Sequence, residues 1–340
     1  MIYFLSDLHF GVRNASAEWL KIQLDFFDFF LKRITPNSKQ DVLIIAGDVF
    51  DNRQTLNIFV FHSVFKLFSR LSKEFKEIHI IVGNHDISNK TTNDVNALSV
   101  FSLLPNVQVY QKPERVEING KSFVMMPWMN HQEHIELQNF SNVDYCVMHT
   151  DINSLHFNKY AKINNGIELV NLKQFRYVFN GHIHFRQEQE NIIMLGSPYH
   201  LNRNDLDNDK YVYYLDSDTL KKFKNTFSPE FKQLDFYNLM EMTVSEAREW
   251  FTNNYIYLNI SNSVSFDSSI NAILDELNVA RNVKILYYDE SEYDVVDIEY
   301  NDNFSIDDVI NEYINSLKYD DDMKQSITSI IDNYKKLSTL

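Results

Sequence analysis

Val42-Leu43-Ile44-Ile45-Ala46-Gly47-Asp48-Val49-Phe50-Asp51 is a run of five apolar residues that breaks on a glycine and delivers a carboxylate. A segment this short, apolar and β-branched reads as a strand buried on both faces. The glycine allows a tight turn, so Asp48 is expected at the strand's carboxyl end. Working outward, the arrangement recurs. Residues 2–5 precede Asp7-Leu8-His9, 78–82 precede Gly83-Asn84-His85-Asp86, 145–148 precede His149, and 177–179 lead into Gly181-His182-Ile183-His184. In open α/β sheets the ligand crevice lies at the carboxyl ends of the strands, so groups far apart in sequence can converge there.

Further apolar runs lie at 122–126, 192–195 and 211–215, and helical patterns at 17–34, 54–72 and 93–104. Strands alternating with helices predict an α/β fold. The helix at 54–72 is apolar over more than one core-facing stripe, which predicts either burial between two neighbours or a homodimer contact. Beyond about residue 230 a smaller α/β unit is expected: helix at 244–254, strand at 255–260, helix at 267–277, strand at 283–288. An acidic stretch at 289–303 then leads to Ser305, which with Asp308 resembles an N-terminal capping pair, and to two amphipathic helices.

Composition narrows the function. The chain has 340 residues, 44% hydrophobic and 14% aromatic, enough to fill a substantial core. Its formal charge of -15 argues against a basic nucleic-acid coat, so metals or local contacts must hold any anionic substrate. The lone cysteine, Cys146, lies in an apolar run and reads as a buried small hydrophobe in a reducing compartment. No signal peptide and no membrane span are expected. A cytoplasmic location is expected.

Asp7 and His9 are two apart, so on extended backbone both side chains project to one side and can grip one ion. Asp48 has two oxygens and can bridge two ions. Asn84 adds a neutral carbonyl oxygen, and His149, His182 and His184 add imidazole nitrogens; this mixed N/O set suits manganese or iron. The other histidines, His62, His79, His131, His134, His156 and His200, lack a strand-end setting.

Together with Pro127-Trp128-Met129 and Gly196-Ser197-Pro198, these motifs resemble the calcineurin-like metallophosphoesterases over roughly the first 200 residues. Within that superfamily the chain is most similar to the SbcD-type double-strand-break-repair nucleases, particularly bacteriophage recombination endonuclease subunits. The resemblance implies a four-layer sandwich of two mixed β-sheets flanked by helices, spanning 1–230. It also implies a small capping domain over DNA at 236–300 and a C-terminal helical segment at 305–340 that docks an SbcC-type coiled-coil ATPase.

Two divalent ions, most simply manganese, are implied: one held by Asp7, His9, Asp48 and His184, the other by Asp48, Asn84, His149 and His182. His85 would face the scissile phosphate as general acid, with Asp86 orienting its imidazole. Such ions, about 3.5–4 Å apart, can share a water that attacks phosphorus. Asp51 is followed by Asn52-Arg53-Gln54 where phosphatases of the superfamily carry Asp-Arg-Gly. That departure argues against a phosphatase. Of the two alternatives to a DNA nuclease, a small-molecule phosphodiesterase or phosphatase would also leave the C-terminal hundred residues unexplained, and the complete ligand set argues against a catalytically weak scaffold for an ATPase.

Overall fold

The computed structural model describes residues 1–88, 92–128, 137, 140–252, 254–261, 274–275 and 283–288. The chain divides into two compact units, Met1–Leu258 with Ser268–Ile285 and Asn259–Asp267 with Leu286–Leu340. The strand-end ligand residues all lie in the first.

The strands of the described residues, in chain order, are β1 (Ile2–Leu5), β2 (Val42–Ile45), β3 (Glu77–Ile81), β4 (Val107–Tyr110), β5 (Glu114–Ile118), β6 (Lys121–Met126), β7 (Tyr145–Met148), β8 (Tyr177–Asn180), β9 (Gln187–Gln189), β10 (Ile192–Met194), β11 (Tyr211–Asp216), β12 (Thr219–Lys224), β13 (Phe231–Asp235), β14 (Tyr255–Ser261) and β15 (Val283–Tyr288). One sheet has the order β12-β11-β1-β2-β3-β4 and a second β5-β6-β7-β8-β10-β9, with β13-β14-β15 forming a third. Both six-stranded sheets are mixed. β1 to β4 run parallel and β11 pairs antiparallel with β1. In the second sheet β6, β7, β8 and β10 run parallel between antiparallel edges.

Alternate residues of each central strand serve different cores, because side chains alternate across a sheet. Ile2, Phe4, Val42 and Ile44 meet Phe123, Tyr145, Val147 and Phe179 between the two sheets, where the Phe4 and Phe179 rings stack with centroids 3.7 Å apart. Tyr3, Leu5, Leu43 and Ile45 face the helices Ala17–Ile34 and Ile58–Glu74 on the other side. The outer face of the second sheet packs Cys146, Met148 and Val178 against Ile152, Leu155 and Leu172. Burial on both faces is why these strands are continuously apolar in sequence.

Two helix expectations need correction. The helix expected from 54 begins at Ile58, because Asn52 Oδ1 accepts the N–H groups of Gln54 and Thr55 in a local turn. Asn57 then caps the helix through the N–H groups of Phe59 and Val60. At 93–104 only the 3₁₀ segment Ser99–Leu103 is helical. Asn96 Oδ1 takes the N–H groups of Leu98 and Ser99, and Asn93 Nδ2 reaches the carbonyls of Gln111 and Trp128, so side chains compete with a regular helix.

The broad apolar arc on Ile58–Glu74 resolves into parts. Val60, Val64, Leu67, Phe68 and Leu71 are buried, and Phe61 and Phe65 pack against Phe50 and Phe101. Leu56, Ile58 and Phe59 are exposed. Of the smaller unit expected after residue 230, the helix Val244–Phe251 and strands β14 and β15 are present. The helix expected at 267–277, apart from 274–275, lies outside the described residues, as do the acidic stretch and the terminal helix pair. Among the described residues no helix is long and apolar enough to cross a membrane.

Candidate metal centre

The loops that follow β1, β2 and β8 carry four proposed ligands on unusual backbone. Asp7, His9, Asp48 and His182 have φ of 52°, 45°, 53° and 77°. That left-handed region costs a non-glycine residue about 1–3 kcal/mol. A backbone ladder offsets the cost. The N–H groups of Asp7, His9 and Phe10 donate to the carbonyls of Gly47, Asp48 and Val49 at 3.1, 3.0 and 2.8 Å. The His182 N–H donates to Asp7 Oδ1 at 3.0 Å, tying the second sheet's loop to the first. Two glycines make the approach possible. A Cβ at Gly47 (φ 87°) would lie 2.4 Å from His149 Nδ1, and one at Gly181 would lie 2.1 Å from Ser6 Oγ.

The expected ligands gather into two overlapping clusters. In the first, Asp7, His9 and His184 bring their donor atoms together, with the Nε2 atoms of His9 and His184 2.8 Å apart. In the second, Asp48, His149 and His182 converge, with His149 Nε2 3.2 Å from Asp48 Oδ2. Asn84 joins this cluster, its Oδ1 lying 2.9 Å from His149 Nε2 and 2.8 Å from His182 Nδ1. Asp48 Oδ2 also stands 3.7 Å from His9 Nε2, so one carboxylate lies between both groups.

These residues fit metal ions on the chemistry of their lone pairs. His149 Nδ1 donates to the Ala46 carbonyl at 2.6 Å, and His182 Nε2 lies 3.3 Å from Asp151 Oδ1. Protons assigned to those outer nitrogens leave His149 Nε2 and His182 Nδ1 as acceptors. Both then face Asn84 Oδ1, itself an acceptor only. Acceptors pointed at one another are stable only with a cation or an extra proton between them. Asp7 Oδ2 is buried with no hydrogen-bond partner among the described residues, which costs free energy unless an ion meets it.

The electrostatics agree. Burial opposes charge on His149, but Asp48 and then Asp7 push its pKa up to about 9, so the carboxylates draw in positive charge. Burial raises Asp48, yet His149 and His9 hold it below the usual carboxylate range. His184 is driven down to about 3 by burial, with His9 adding to it, and keeps its lone pair. Protons and metal ions compete for these same atoms.

His85 is partly exposed and lines a cavity of about 240 Å³ with Asp48, His182, His184 and Phe157. Its Nδ1 lies 2.7 Å from the Asp51 carbonyl oxygen and its backbone N–H donates to Asp48 Oδ1 at 2.7 Å. Nε2 is therefore the nitrogen left for a substrate. Burial lowers the His85 pKa below the ordinary imidazole value. With His9 and Asp48 it also forms a third close group of donors.

Asp86 does not orient His85 as expected. Its Oδ2 accepts the N–H groups of Asp48 and Gly83, both at 2.9 Å, and its Oδ1 that of Phe50 at 3.1 Å. Both oxygens are committed to backbone, and the imidazole is held by the Asp51 carbonyl instead. Burial and then the Asp48 charge raise Asp86 to about 7. Its place is beneath the ligand loops, which it ties together.

Three residues of the site had no assigned role in the sequence reading. Asp51 Oδ1 lies 3.2 Å from His9 Nδ1, Asp151 backs His182, and the Trp128 ring sits 4.9 Å from the His182 ring. Asp151 carried a legible signal, since His149-Thr150-Asp151 repeats the two-residue spacing of Asp7-Leu8-His9. Of the histidines set aside, His79 is buried beside Tyr110 and Glu77, and His200 accepts the Phe231 N–H. His131 and His134 lie outside the described residues.

Two mixed sheets with ligand-bearing loops at their strand ends define a phosphoesterase architecture, and residues 1–186 match the calcineurin-like phosphoesterase family. The chain belongs to that family. Among known proteins it is 31% identical over 223 residues to exonuclease subunit 1 of enterobacteria phage T4, a match covering 63% of this chain and 64% of the phage protein's length. It is 23% identical over 289 residues to the DNA double-strand break repair protein Mre11 of Methanocaldococcus jannaschii, covering 80% of this chain and 73% of that one. A solved archaeal phosphodiesterase aligns with 14% identity and a TM-score of 0.35, over 66% of this chain and 99% of its own.

Proposed function

We propose that the chain is a metal-dependent DNA nuclease, the catalytic subunit of an SbcC/SbcD-type repair and recombination complex. The observation that carries this reading is the coincidence of two ligand clusters around Asp48 with 31% identity to a phage exonuclease subunit. Asp7, His9, Asp48 and His184 would hold one ion, and Asp48, Asn84, His149 and His182 the other. The mixed nitrogen and oxygen donors favour manganese.

When bound by these residues, two such ions would supply Lewis-acid charge and lower the pKa of an attacking water. The chain's own residues position and protonate. Asp48 sets the spacing of the two ligand groups, and the backbone ladder between the β1 and β2 loops holds that spacing rigid. His85, fixed through Nδ1, presents Nε2 to the cavity, where it donates a proton to the leaving oxygen as general acid.

The relative being a subunit supports a partner, and we assign an SbcC-type ATPase to residues 305–340 and the capping role over DNA to 236–300. Exposed Leu56, Ile58 and Phe59 support a homodimer through the start of the helix Ile58–Glu74. Of the basic residues near the site, Arg53 stands close enough to His85 to lower its pKa, and it is placed to meet a phosphate there. Arg13 is stacked on Trp19 and Arg186 is paired with Glu188, so most of the affinity for DNA is assigned to the ions and the partner.

The test is manganese-dependent cleavage of linear and single-stranded DNA, with and without the cognate ATPase, beside turnover of cyclic nucleotides and phosphopeptides. DNA cleavage is expected. Turnover of the small substrates alone would replace this reading with a small-molecule phosphodiesterase.

A further inference from the structure

Beside the metal centre lies a second cavity, of about 500 Å³, within the ~300–1,000 Å³ range of small-ligand pockets. The two share Asn204. Two loops separate them. Phe157, Asn202 and Asp205 face the metal-centre cavity, whereas the next residues along, Lys159, Tyr160 and Arg203, line the second. A strand that leaves His85 over residues 157–160 and 202–207 would enter the second cavity.

The chemistry of the second cavity suits a neutral, planar, hydrogen-bonding group. Tyr160 is 81% exposed, which leaves its ring free to stack. Asn204, Gln233 and Asn238 place carboxamides around it, each able to donate and accept. Asn204 uses its backbone N–H on Asn202 Oδ1 at 2.8 Å, and Tyr160 its own on Asn158 Oδ1 at 2.8 Å, so both loops are held by their turns. Lys159 Nζ is 3.0 Å from Asp207, and Arg203 lies over the Tyr257 ring with a hydrogen bond to Gln233, the last two being neutral partners. A nucleobase leaves these contacts in place, and bases are read by carboxamides on their edges and aromatic rings on their faces.

We infer that this cavity binds one unstacked nucleobase of the DNA strand flanking the scissile phosphate, with Tyr160 as the stacking platform and Asn204 and Asn238 on the base edge. The inference rests on the nuclease reading. It assigns the enzyme a preference for frayed or single-stranded DNA, because only a base released from its pair can enter.

The experiment walks a single abasic site along a single-stranded oligonucleotide and measures kcat/KM at each position. The intact chain is expected to lose about tenfold at one position near the cleaved bond, mainly in KM. Tyr160→Ala and Asn238→Ala should each lower kcat/KM on the unmodified oligonucleotide about tenfold relative to bis(p-nitrophenyl) phosphate, and should flatten the dip. A flat profile in the intact chain, or an undiminished dip in both variants, overturns the base cavity. Hydrolysis of the small diester with no DNA cleavage fails the nuclease reading itself, and the base cavity with it.

Discussion

The Nε2 atoms of His9 and His184 lie 2.8 Å apart although the two residues sit on loops of different sheets. Two bare lone pairs would repel at that distance, so either one nitrogen carries a proton that it donates to the other or both face a cation. The Asp7 carboxylate completes the group.

Ligand removal should separate the two clusters. Asp48 stands between them, so Asp48→Asn is expected to lose both ions, whereas His184→Ala should lose one and keep the His149 cluster. Metal content per chain by elemental analysis after equilibration with manganese reads the difference. Equal loss in both variants would mean a single cooperative site.

His85→Ala should retain both ions and lower kcat by about 10²–10⁴, the usual worth of a positioned acid. The same metal analysis checks it. Loss of an ion would make His85 a ligand, as its proximity to His9 and Asp48 allows.

Asp151 fixes which nitrogen of His182 faces the cluster. Asp151→Ala is expected to weaken manganese binding by about 10–100-fold without unfolding the chain, as loss of such an outer carboxylate typically does. Calorimetric titration of metal into the metal-free protein measures this directly.

Lys210 and Asp205 form a buried pair 2.5 Å apart, and Lys210 also holds the His184 carbonyl at 2.8 Å. Asp205→Ala leaves the lysine unpaired and should cost about 3–5 kcal/mol in denaturant unfolding. Burial raises the Asp205 pKa, but Lys210 outweighs it and holds the group below the usual range. The contribution is therefore full above the unfolded carboxylate value and disappears as pH falls through the folded one. A variant with unchanged stability and unchanged acid sensitivity would show that the pair contributes nothing.

Dimerisation is checked by mass in solution. Leu56, Ile58 and Phe59 are exposed together, and Ile58→Glu should shift a dimer to monomer by placing a charge in its contact. A strict monomer at high concentration removes the proposal.

How much of this was legible follows from where the determining forces act. Strands β1, β2, β7 and β8 were readable because two buried faces demand unbroken apolar runs, and the same runs located Asp7, Asp48, His149 and His182 just beyond their ends. Edge strands such as β5 and β12 were not, since Glu114, Arg115, Lys221 and Lys222 meet solvent and leave no apolar signature. The helix over 93–104 failed because Asn96 takes the N–H groups of Leu98 and Ser99 in a local turn and Asn93 bonds to the carbonyls of Gln111 and Trp128, which only the fold brings near.

The ligand types and their order were local facts, set by the pairing of apolar runs with metal-binding side chains. Their partners were not. That Asp86 would hold backbone and the Asp51 carbonyl would hold His85 depended on loops from different strands meeting in space. The left-handed φ of Asp7, His9 and Asp48 likewise has no local cause, for an isolated chain avoids it. It persists because the two loops zip together and leave those residues no other conformation.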